Sequence, residues 1–189
     1  MNVKRIVIFA SGGGSNAEKI MQHFASTSTV EVVKVVCNNP KAGVISKAQA
    51  LEMPVAVISN SDAANANLLG ELCIGADLIV LAGYLRKIPI DFIAKFNDKI
   101  INLHPSLLPN YGGKGMYGEH VHKAVLQNKE PETGITIHYV NENFDEGRII
   151  AQFRTKLSDT ETLSSVQSKI QFLEHSYFPF VIETVLKSK

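Results

Sequence analysis

The chain has 189 residues, enough for one domain with a full hydrophobic core but hardly for two. Its formal net charge is +1 and 45% of its residues are hydrophobic, values that favour neither a nucleic-acid-binding protein nor a membrane-surface protein. Two cysteines without metal-ligand spacing argue against a disulfide scaffold or a zinc site. Apolar residues begin almost at the first position, and no apolar run reaches the ~18 residues of a membrane span. We therefore expect a single cytoplasmic domain over residues 1–189, without a signal peptide.

Strand and helix patterns alternate through the first two thirds of the chain. Continuous apolar runs of strand length are each followed by a polar break and then, in most cases, by helical spacing. Strands that are apolar on both faces and separated by helices predict an α/β fold with a doubly wound, mostly parallel sheet. The predicted strands are residues 5–10, 30–37, 55–58, 78–82 and 99–103, and the predicted helices are 17–24, 44–51 and 89–96.

The last third of the chain has a different pattern. Residues 134–140 and 148–155 are rich in β-forming residues and lie close together, which predicts an antiparallel pair added to the sheet. Ser158 and Glu161 have the spacing of a capping box, so a helix is expected to begin there. Pro179 should kink that helix or end it early.

The segment INLHPSLLP at residues 101–109 carries the strongest chemical signal. Asn102 and His104 are two apart in an extended segment, so their side chains lie on one face and can converge on one reacting atom. Pro105 keeps His104 extended, because the residue before a proline avoids the helical region. An amide donor beside a group that titrates near pH 7 suits a reaction in which a carbonyl becomes an oxyanion and an amine loses a proton.

The motif SGGGSN at residues 11–16 lies between the first strand and the first helix. Backbone N–H groups at such a junction form an anion site, and Gly14, Ser15 and Asn16 would supply it. The spacing also fits a dinucleotide fingerprint, but residues 38–39 at the end of the second strand are asparagines instead of the acid that holds a ribose. A phosphate monoester is therefore the favoured ligand, and a tight turn without a ligand is the alternative.

Two acidic residues are further candidates. Asp145 lies in a turn, where an aspartate usually caps its own backbone, but a histidine active near pH 7 needs a carboxylate to orient it. Glu174, on the last predicted helix, could bind sugar hydroxyls or lie on a solvated face, and the sequence leaves this open.

The remaining histidines are weaker candidates. His120 and His122 are two apart on a predicted helix, so they diverge and make a poor metal pair. His23, His138 and His175 have no ligand partners at useful spacing and are expected to be solvated or internally satisfied.

Taken together, these motifs resemble the phosphoribosylglycinamide formyltransferase family, the folate-dependent enzymes of purine synthesis. The resemblance runs almost end to end. It rests on SGGGSN, on LAGYLRKI at residues 81–88, on INLHPSLLP, on FDEG at residues 144–147, and on DTETL and EHSYFP in the C-terminal segment.

The resemblance implies a Rossmann-like formyltransferase fold and transfer of a formyl group from 10-formyltetrahydrofolate to the amine of glycinamide ribonucleotide in de novo purine biosynthesis. Only these small molecules are expected as partners, with no metal, nucleic acid or membrane. The implied catalytic residues are Asn102, His104 and Asp145. The implied substrate-binding residues are Gly14, Ser15, Asn16 and Glu174, and the implied folate-binding residues are Leu85, Arg86, Lys87, Ile88 and Val140.

The mechanism expected from the sequence has Asn102 and protonated His104 donating hydrogen bonds to the oxyanion. Asp145 would orient His104 and carry the amine proton, through water, to the departing folate nitrogen. Two departures from the family pattern stand out. No lysine or arginine lies between Met53 and Leu85, where relatives often have an arginine that binds folate, and residues 111–118 read YGGKGMYG where many relatives have a shorter segment.

Three other functions are compatible with parts of the pattern. A 10-formyltetrahydrofolate deformylase would use water as the nucleophile, and we would expect it to carry an additional regulatory domain. A methionyl-tRNA formyltransferase should carry a second, basic domain. A nucleotide sensor without catalysis would explain the glycine motif but not Asn102, His104 and Asp145 together.

Overall fold

The computed structural model describes residues 3–188, whose strands form one seven-stranded sheet in the order β3-β2-β1-β4-β5-β6-β7. The strands are β1 (Lys4–Ala10), β2 (Val30–Cys37), β3 (Val55–Val57), β4 (Leu78–Leu81), β5 (Ile100–His104), β6 (Glu132–Tyr139) and β7 (Ile149–Lys156). The helices are α1 (Ser15–Phe24), α2 (Gly43–Ala50), α3 (Ala66–Leu72), α4 (Ile90–Lys95), α5 (Glu119–Gln127) and α6 (Leu163–Lys187), with a 3₁₀ turn at Asp62–Ala64. None of the helices in this part of the chain is long and apolar enough to cross a membrane.

The first five strands are parallel and the last two are antiparallel additions, as the sequence predicts. β1 pairs with both β2 and β4, so the strand order reverses direction between β1 and β4. In a doubly wound sheet this reversal opens a crevice at the carboxyl ends of the strands, which is where ligands bind. The Ser11 N–H donates to the Gly83 carbonyl at 3.0 Å, and the Leu85 N–H donates to Ser11 Oγ at 2.8 Å. These bonds hold the glycine motif after β1 beside the segment that follows β4.

The core consists of two apolar layers, one on each face of the sheet. Alternate residues of β1 explain this arrangement, because Ile6 and Ile8 join one buried cluster while Val7 and Phe9 join the other. The first cluster packs under α1, α2 and α6, and the second packs under α3 and α4. The uninterrupted apolar run of β1 is therefore the signature of a strand covered on both faces.

The start of α6 differs from the sequence-based prediction. The capping box lies one turn beyond Ser158: Thr162 Oγ1 accepts from the Ser165 N–H at 3.2 Å, and Ser165 Oγ accepts from the Thr162 N–H at 2.9 Å. The Glu161 side chain contacts Lys169 and Ser165 instead of serving as the main cap. The prediction was wrong because polar residues with capping spacing recur four residues later.

Of the two effects expected of Pro179, a kink in α6 or an early end, the early end does not occur. The helix continues through this residue to Lys187. A proline inside a helix costs ~3 kcal/mol, whereas fully burying one large aliphatic side chain contributes about 1.5–3 kcal/mol. Ile182, Val185 and Leu186 lie beyond the proline and are all buried in the core. Burial of this last part of α6 therefore outweighs the local cost.

Candidate active site

Strands β5 and β6 bring three polar side chains together at the crevice. Asn102 and His104 lie on the same face of β5, and His138 on β6 is directly opposite Asn102 in the antiparallel register. The Asn102 Nδ2 atom lies 3.1 Å from His138 Nε2. His104 and His138 are only 4% and 2% exposed, respectively, so both rings act in a largely water-excluded setting.

Asp145 joins this group from the turn between β6 and β7. Its φ of 57° places it in the left-handed region, which aspartate tolerates better than most residues. One carboxylate oxygen, Oδ2, accepts a hydrogen bond from the Gly113 N–H at 2.9 Å and lies 3.5 Å from His104 Nδ1. The other, Oδ1, lies 3.7 Å from His138 Nε2. The structure therefore brings the three predicted catalytic residues together and adds His138.

The surroundings of Asp145 and His104 shift the pKa of both groups. Burial opposes ionisation of Asp145, but the His138 and His104 rings and the Gly113 N–H together lower its pKa below the usual value. Burial also lowers the pKa of His104, although the Asp145 carboxylate and the Tyr111 carbonyl oppose that shift. Burial therefore favours the neutral imidazole of His104 beside the ionised carboxylate of Asp145, whereas the mechanism expected from the sequence has His104 protonated.

The tautomer of His104 follows from its second contact. His104 Nε2 lies 2.8 Å from the Tyr111 carbonyl oxygen, which can only accept a hydrogen bond. Nε2 therefore carries the proton of the neutral ring, and Nδ1, which faces Asp145, is left as the basic nitrogen. Tyr111 has a φ of 58°, and its hydroxyl donates to Glu130 at 2.6 Å, which fixes its position.

This electrostatic picture makes a prediction about titration. Replacing Asp145 with asparagine removes the charge that raises the pKa of His104, so burial is less opposed and the pKa should fall further. The carbon-bound ring protons of His104, followed by NMR against pH, should titrate at a lower midpoint in D145N than in the unmodified protein. An unchanged or higher midpoint would show that Asp145 does not act on this ring.

The glycine motif forms the start of α1. Gly14 caps the helix with a φ of 74°, and a Cβ at this position would lie 2.5 Å from the side chain of Val44. Glycine is required there by both the backbone conformation and the close approach. The first N–H groups of α1, from Ser15 onward, have no acceptor within the helix and carry its positive dipole end. Gly12 and Gly13 leave open space above the motif.

Asn16 and Glu174 connect α1 to α6 at the edge of the crevice. Asn16 Nδ2 donates to Glu174 Oε2 at 2.8 Å, while Asn16 Oδ1 is buried without a protein partner. Burial raises the pKa of Glu174, and the hydrogen bond from Asn16 opposes this shift. Of the two positions that the sequence left open for Glu174, the structure gives the one that faces the crevice.

These groups surround a single cavity of about 590 Å³, a size typical of small-molecule sites. Gly14 and Ser15 are not among the lining residues, but they immediately precede Asn16, which is. Among the predicted site residues, those that line the cavity are Asn16, Leu85, Arg86, Lys87, Ile88, Asn102, His104, Val140, Asp145 and Glu174.

Positive charge near the folate segment comes from within the segment and from the loop at residues 111–118. Arg86, Lys87 and Lys114 all line the cavity. The Lys87 Nζ atom lies 5.5 Å from the centroid of the Phe144 ring, so the segment after β4 also contacts the turn that carries Asp145. The cavity thus has cations without any lysine or arginine between Met53 and Leu85.

Sequence reasoning missed two contributors to this site. His138 was expected to be solvated or internally satisfied and is internally hydrogen-bonded, but only the pairing of β5 with β6 reveals that its partner is Asn102. The Tyr111 carbonyl is a backbone group that no side-chain pattern could identify. Of the two weaker histidines on α5, His120 is exposed and His122 is buried, so they diverge as predicted. No group of three or more potential metal ligands occurs among residues 3–188.

Comparison with known proteins agrees with this geometry. The sequence profile of the formyl transferase family matches residues 4–182. Phosphoribosylglycinamide formyltransferase of Bacillus subtilis is 35% identical over 191 residues, covering 97% of this chain and 95% of the relative. The chloroplastic enzyme of Arabidopsis thaliana is 36% identical over 194 residues, covering 98% of this chain and 66% of the plant protein.

Solved structures show the same similarity. The phosphoribosylglycinamide formyltransferase from Bacillus halodurans superposes with a TM-score of 0.87 at 34% identity, covering 97% of this chain and 95% of that one. The enzyme from Anaplasma phagocytophilum superposes with a TM-score of 0.90 at 28% identity, covering all of this chain and 89% of that one. The predicted fold class and family are thereby confirmed, and the chain belongs to the phosphoribosylglycinamide formyltransferase family of formyl transferases.

Proposed function

We propose that this chain transfers the formyl group of 10-formyltetrahydrofolate to the primary amine of glycinamide ribonucleotide, a step of de novo purine biosynthesis. The observation that carries this conclusion is the placement of Asn102, His104 and Asp145 in one cavity. The Asn16–Glu174 pair and the cationic segment at residues 85–88 line the same cavity. A phosphorylated amine and an anionic formyl donor can therefore meet at the same three side chains.

The ribonucleotide is held by the start of α1 and by α6. Its phosphate accepts hydrogen bonds from the N–H groups of Gly14, Ser15 and Asn16, where the helix dipole favours negative charge. Glu174 accepts from ribose hydroxyls. The buried Asn16 Oδ1 provides an additional acceptor for a hydroxyl of the sugar. Anchoring both ends of the ribose phosphate directs the glycine amine toward β5.

The amine nitrogen attacks the formyl carbon, and the carbonyl electron pair moves to oxygen. Asn102 donates one of its amide N–H groups to this developing oxyanion. Removing a single donor of this kind typically costs about 10²–10³ in kcat in other enzymes. We assign the donor role to Asn102 and not to a protonated His104, because burial favours the neutral ring at rest.

The pair of His104 and Asp145 moves the proton. His104 Nδ1 accepts a proton from the attacking amine, directly or through water, and the carboxylate 3.5 Å away stabilises the resulting imidazolium. Collapse of the tetrahedral intermediate breaks the bond to the folate nitrogen, which receives the same proton. The formyl group ends on the ribonucleotide amine, and the ring and the carboxylate return to their starting states.

The folate lies along the segment after β4 and the turn after β6. We propose that Leu85, Ile88 and Val140 contact its apolar ring system, with Arg86 and Lys87 facing its anionic groups. We retain the other expectations from the sequence: small-molecule partners only, no nucleic acid or membrane, no metal, and a cytoplasmic location.

The closest alternative is a deformylase, in which water attacks the same formyl carbon. A hydrolase has no use for a sugar-binding pair such as Asn16 and Glu174 in the reaction cavity. The two functions differ in their products. Incubation with 10-formyltetrahydrofolate labelled with ¹³C in the formyl group, together with glycinamide ribonucleotide, should place the label on the ribonucleotide amine. Mass spectrometry of the products tests this, and accumulation of labelled formate instead would contradict the proposal.

A further inference from the structure

His138 is the most deeply buried polar group of the site, and the mechanism above gives it no task. It is 2% exposed on β6, and a polar side chain at this depth needs hydrogen-bond partners. Its ring nitrogens have two close neighbours: Nδ1 lies 2.9 Å from the Tyr139 carbonyl oxygen, and Nε2 lies 3.1 Å from Asn102 Nδ2. Both neighbours restrict where the ring can carry its proton.

The first contact determines the tautomer. The Tyr139 carbonyl can only accept, so Nδ1 must carry a proton and donate it. In a neutral ring Nε2 is then an acceptor, and the Asn102 amide must present its NH₂ group to it. The opposite orientation of the amide would place its oxygen against the lone pair of Nε2. The register of β5 and β6 makes this contact rigid, since Asn102 and His138 are directly paired.

We propose that His138 is a positioning residue that fixes the amide orientation of Asn102. One Asn102 N–H is held by His138 Nε2, and the second is directed to the formyl oxygen. Without the histidine acceptor the Asn102 amide can rotate. Its oxygen, which repels an oxyanion, can then point toward the formyl oxygen. The inference rests on the proposed function, because it assumes that Asn102 stabilises the oxyanion.

One nearby charge works against this arrangement. The Asp145 Oδ1 atom lies 3.7 Å from His138 Nε2 and competes with Asn102 for this nitrogen. At 3.7 Å this contact is longer than the 3.1 Å contact of Nε2 with Asn102, and the other carboxylate oxygen is engaged by Gly113 and faces His104. The two closer contacts, at 2.9 Å to the Tyr139 carbonyl and at 3.1 Å to Asn102, are both satisfied by a ring that carries its proton on Nδ1.

Two substitutions at this position form a matched test. In H138Q the amide oxygen of glutamine reaches the place of Nε2 and can accept from Asn102. In H138N the shorter amide reaches only the place of Nδ1, so the acceptor toward Asn102 is lost. We expect H138N to lower kcat roughly tenfold or more, since small misplacements of a catalytic group can cost up to 10²-fold. KM for both substrates should stay within about twofold, and H138Q should recover most of kcat.

A double-mutant cycle separates this inference from the proposed function. If His138 acts through Asn102, the loss in N102A/H138N should be no larger than the loss in N102A alone. Equal kcat values for H138N and H138Q, with a low kcat for N102A, would overturn the positioning role and leave the proposed function intact. An unchanged kcat in N102A would instead overturn the oxyanion role of Asn102 and the inference with it.

The tautomer itself can be measured without turnover. In protein labelled with ¹⁵N-histidine, His138 should show a proton on Nδ1 and none on Nε2 at neutral pH. The same spectra should show that the unmodified protein and N102A are both folded. A proton found on Nε2 would overturn the proposal, because that nitrogen could then no longer accept from Asn102.

Discussion

Replacing Asp145 with asparagine should lower kcat about 100-fold or more and leave the fold intact. The substitution keeps the shape of the side chain but removes the negative charge next to His104 Nδ1. His104 then takes up the amine proton without a carboxylate to stabilise the imidazolium, and losing such acid–base support typically costs 10²–10⁴-fold. His104→Ala should cause a loss of similar size. Steady-state kinetics with saturating substrates measures both, and thermal unfolding of each purified variant reports on its fold.

The same turn provides a matched control for this prediction. Glu146 follows Asp145, is exposed and does not line the reaction cavity, although it accepts a hydrogen bond at 2.8 Å from Asn143, which does. Glu146→Gln removes the same charge one residue away and should leave kcat within about twofold, as surface substitutions usually do. Turnover near that of the unmodified protein in folded D145N would remove Asp145 from the mechanism. A comparable loss in both variants would point to the overall charge of the turn instead.

Tetrahydrofolate should be released orders of magnitude faster in the presence of glycinamide ribonucleotide than in its absence. An amine anchored through its phosphate and ribose is held against the formyl carbon, and effective molarities of such positioned groups reach about 10⁵–10⁸ M. Bulk water has no corresponding anchor in a cavity shaped by Asn16 and Glu174. Folate absorbance, followed with and without the ribonucleotide, measures the difference directly.

Inorganic phosphate provides a control on the anchor. It should compete with the ribonucleotide by occupying the N–H groups of Gly14, Ser15 and Asn16, and it should compete much less with the folate. Inhibition against varied concentrations of each substrate distinguishes the two. Equal rates of folate release with and without the ribonucleotide would show a hydrolase, and phosphate that competes equally with both substrates would place the anion site elsewhere.

The sequence was sufficient for most of the fold because the strands are long apolar runs. Predicted strands and helices over residues 5–58 and 78–104 match the structure within about two residues, and the antiparallel pair was predicted correctly. Helix α3 was missed: only Leu69 and Gly70 of its seven residues are buried, so it has almost no apolar face to detect. Asn65 caps this helix by accepting from two backbone N–H groups, a local signal that also occurs in ordinary turns.

The parts of the site that depend on residues close together in the sequence could be predicted. The parts that depend on how the strands pair could not. Asn102 and His104 share a face simply because they are two apart in a strand. The contact of His138 with Asn102 needs the register of β5 against β6, which no local pattern specifies. The environment of His104 could not be predicted for the same reason, because its burial and its contact with the Tyr111 carbonyl arise only when the loop at 111–118 folds back on the strand.

The hydrogen bond from the Gly113 N–H to Asp145 links the position of the loop at residues 111–118 to a proton. The bond contributes to the lowered pKa of Asp145, so the loop binds the ionised carboxylate more tightly than the protonated one. Thermodynamic reciprocity then requires that adding a proton to Asp145 weakens its interaction with the loop by the same free energy. Acid therefore favours loop release, and any ligand that secures the loop in place makes Asp145 a stronger acid.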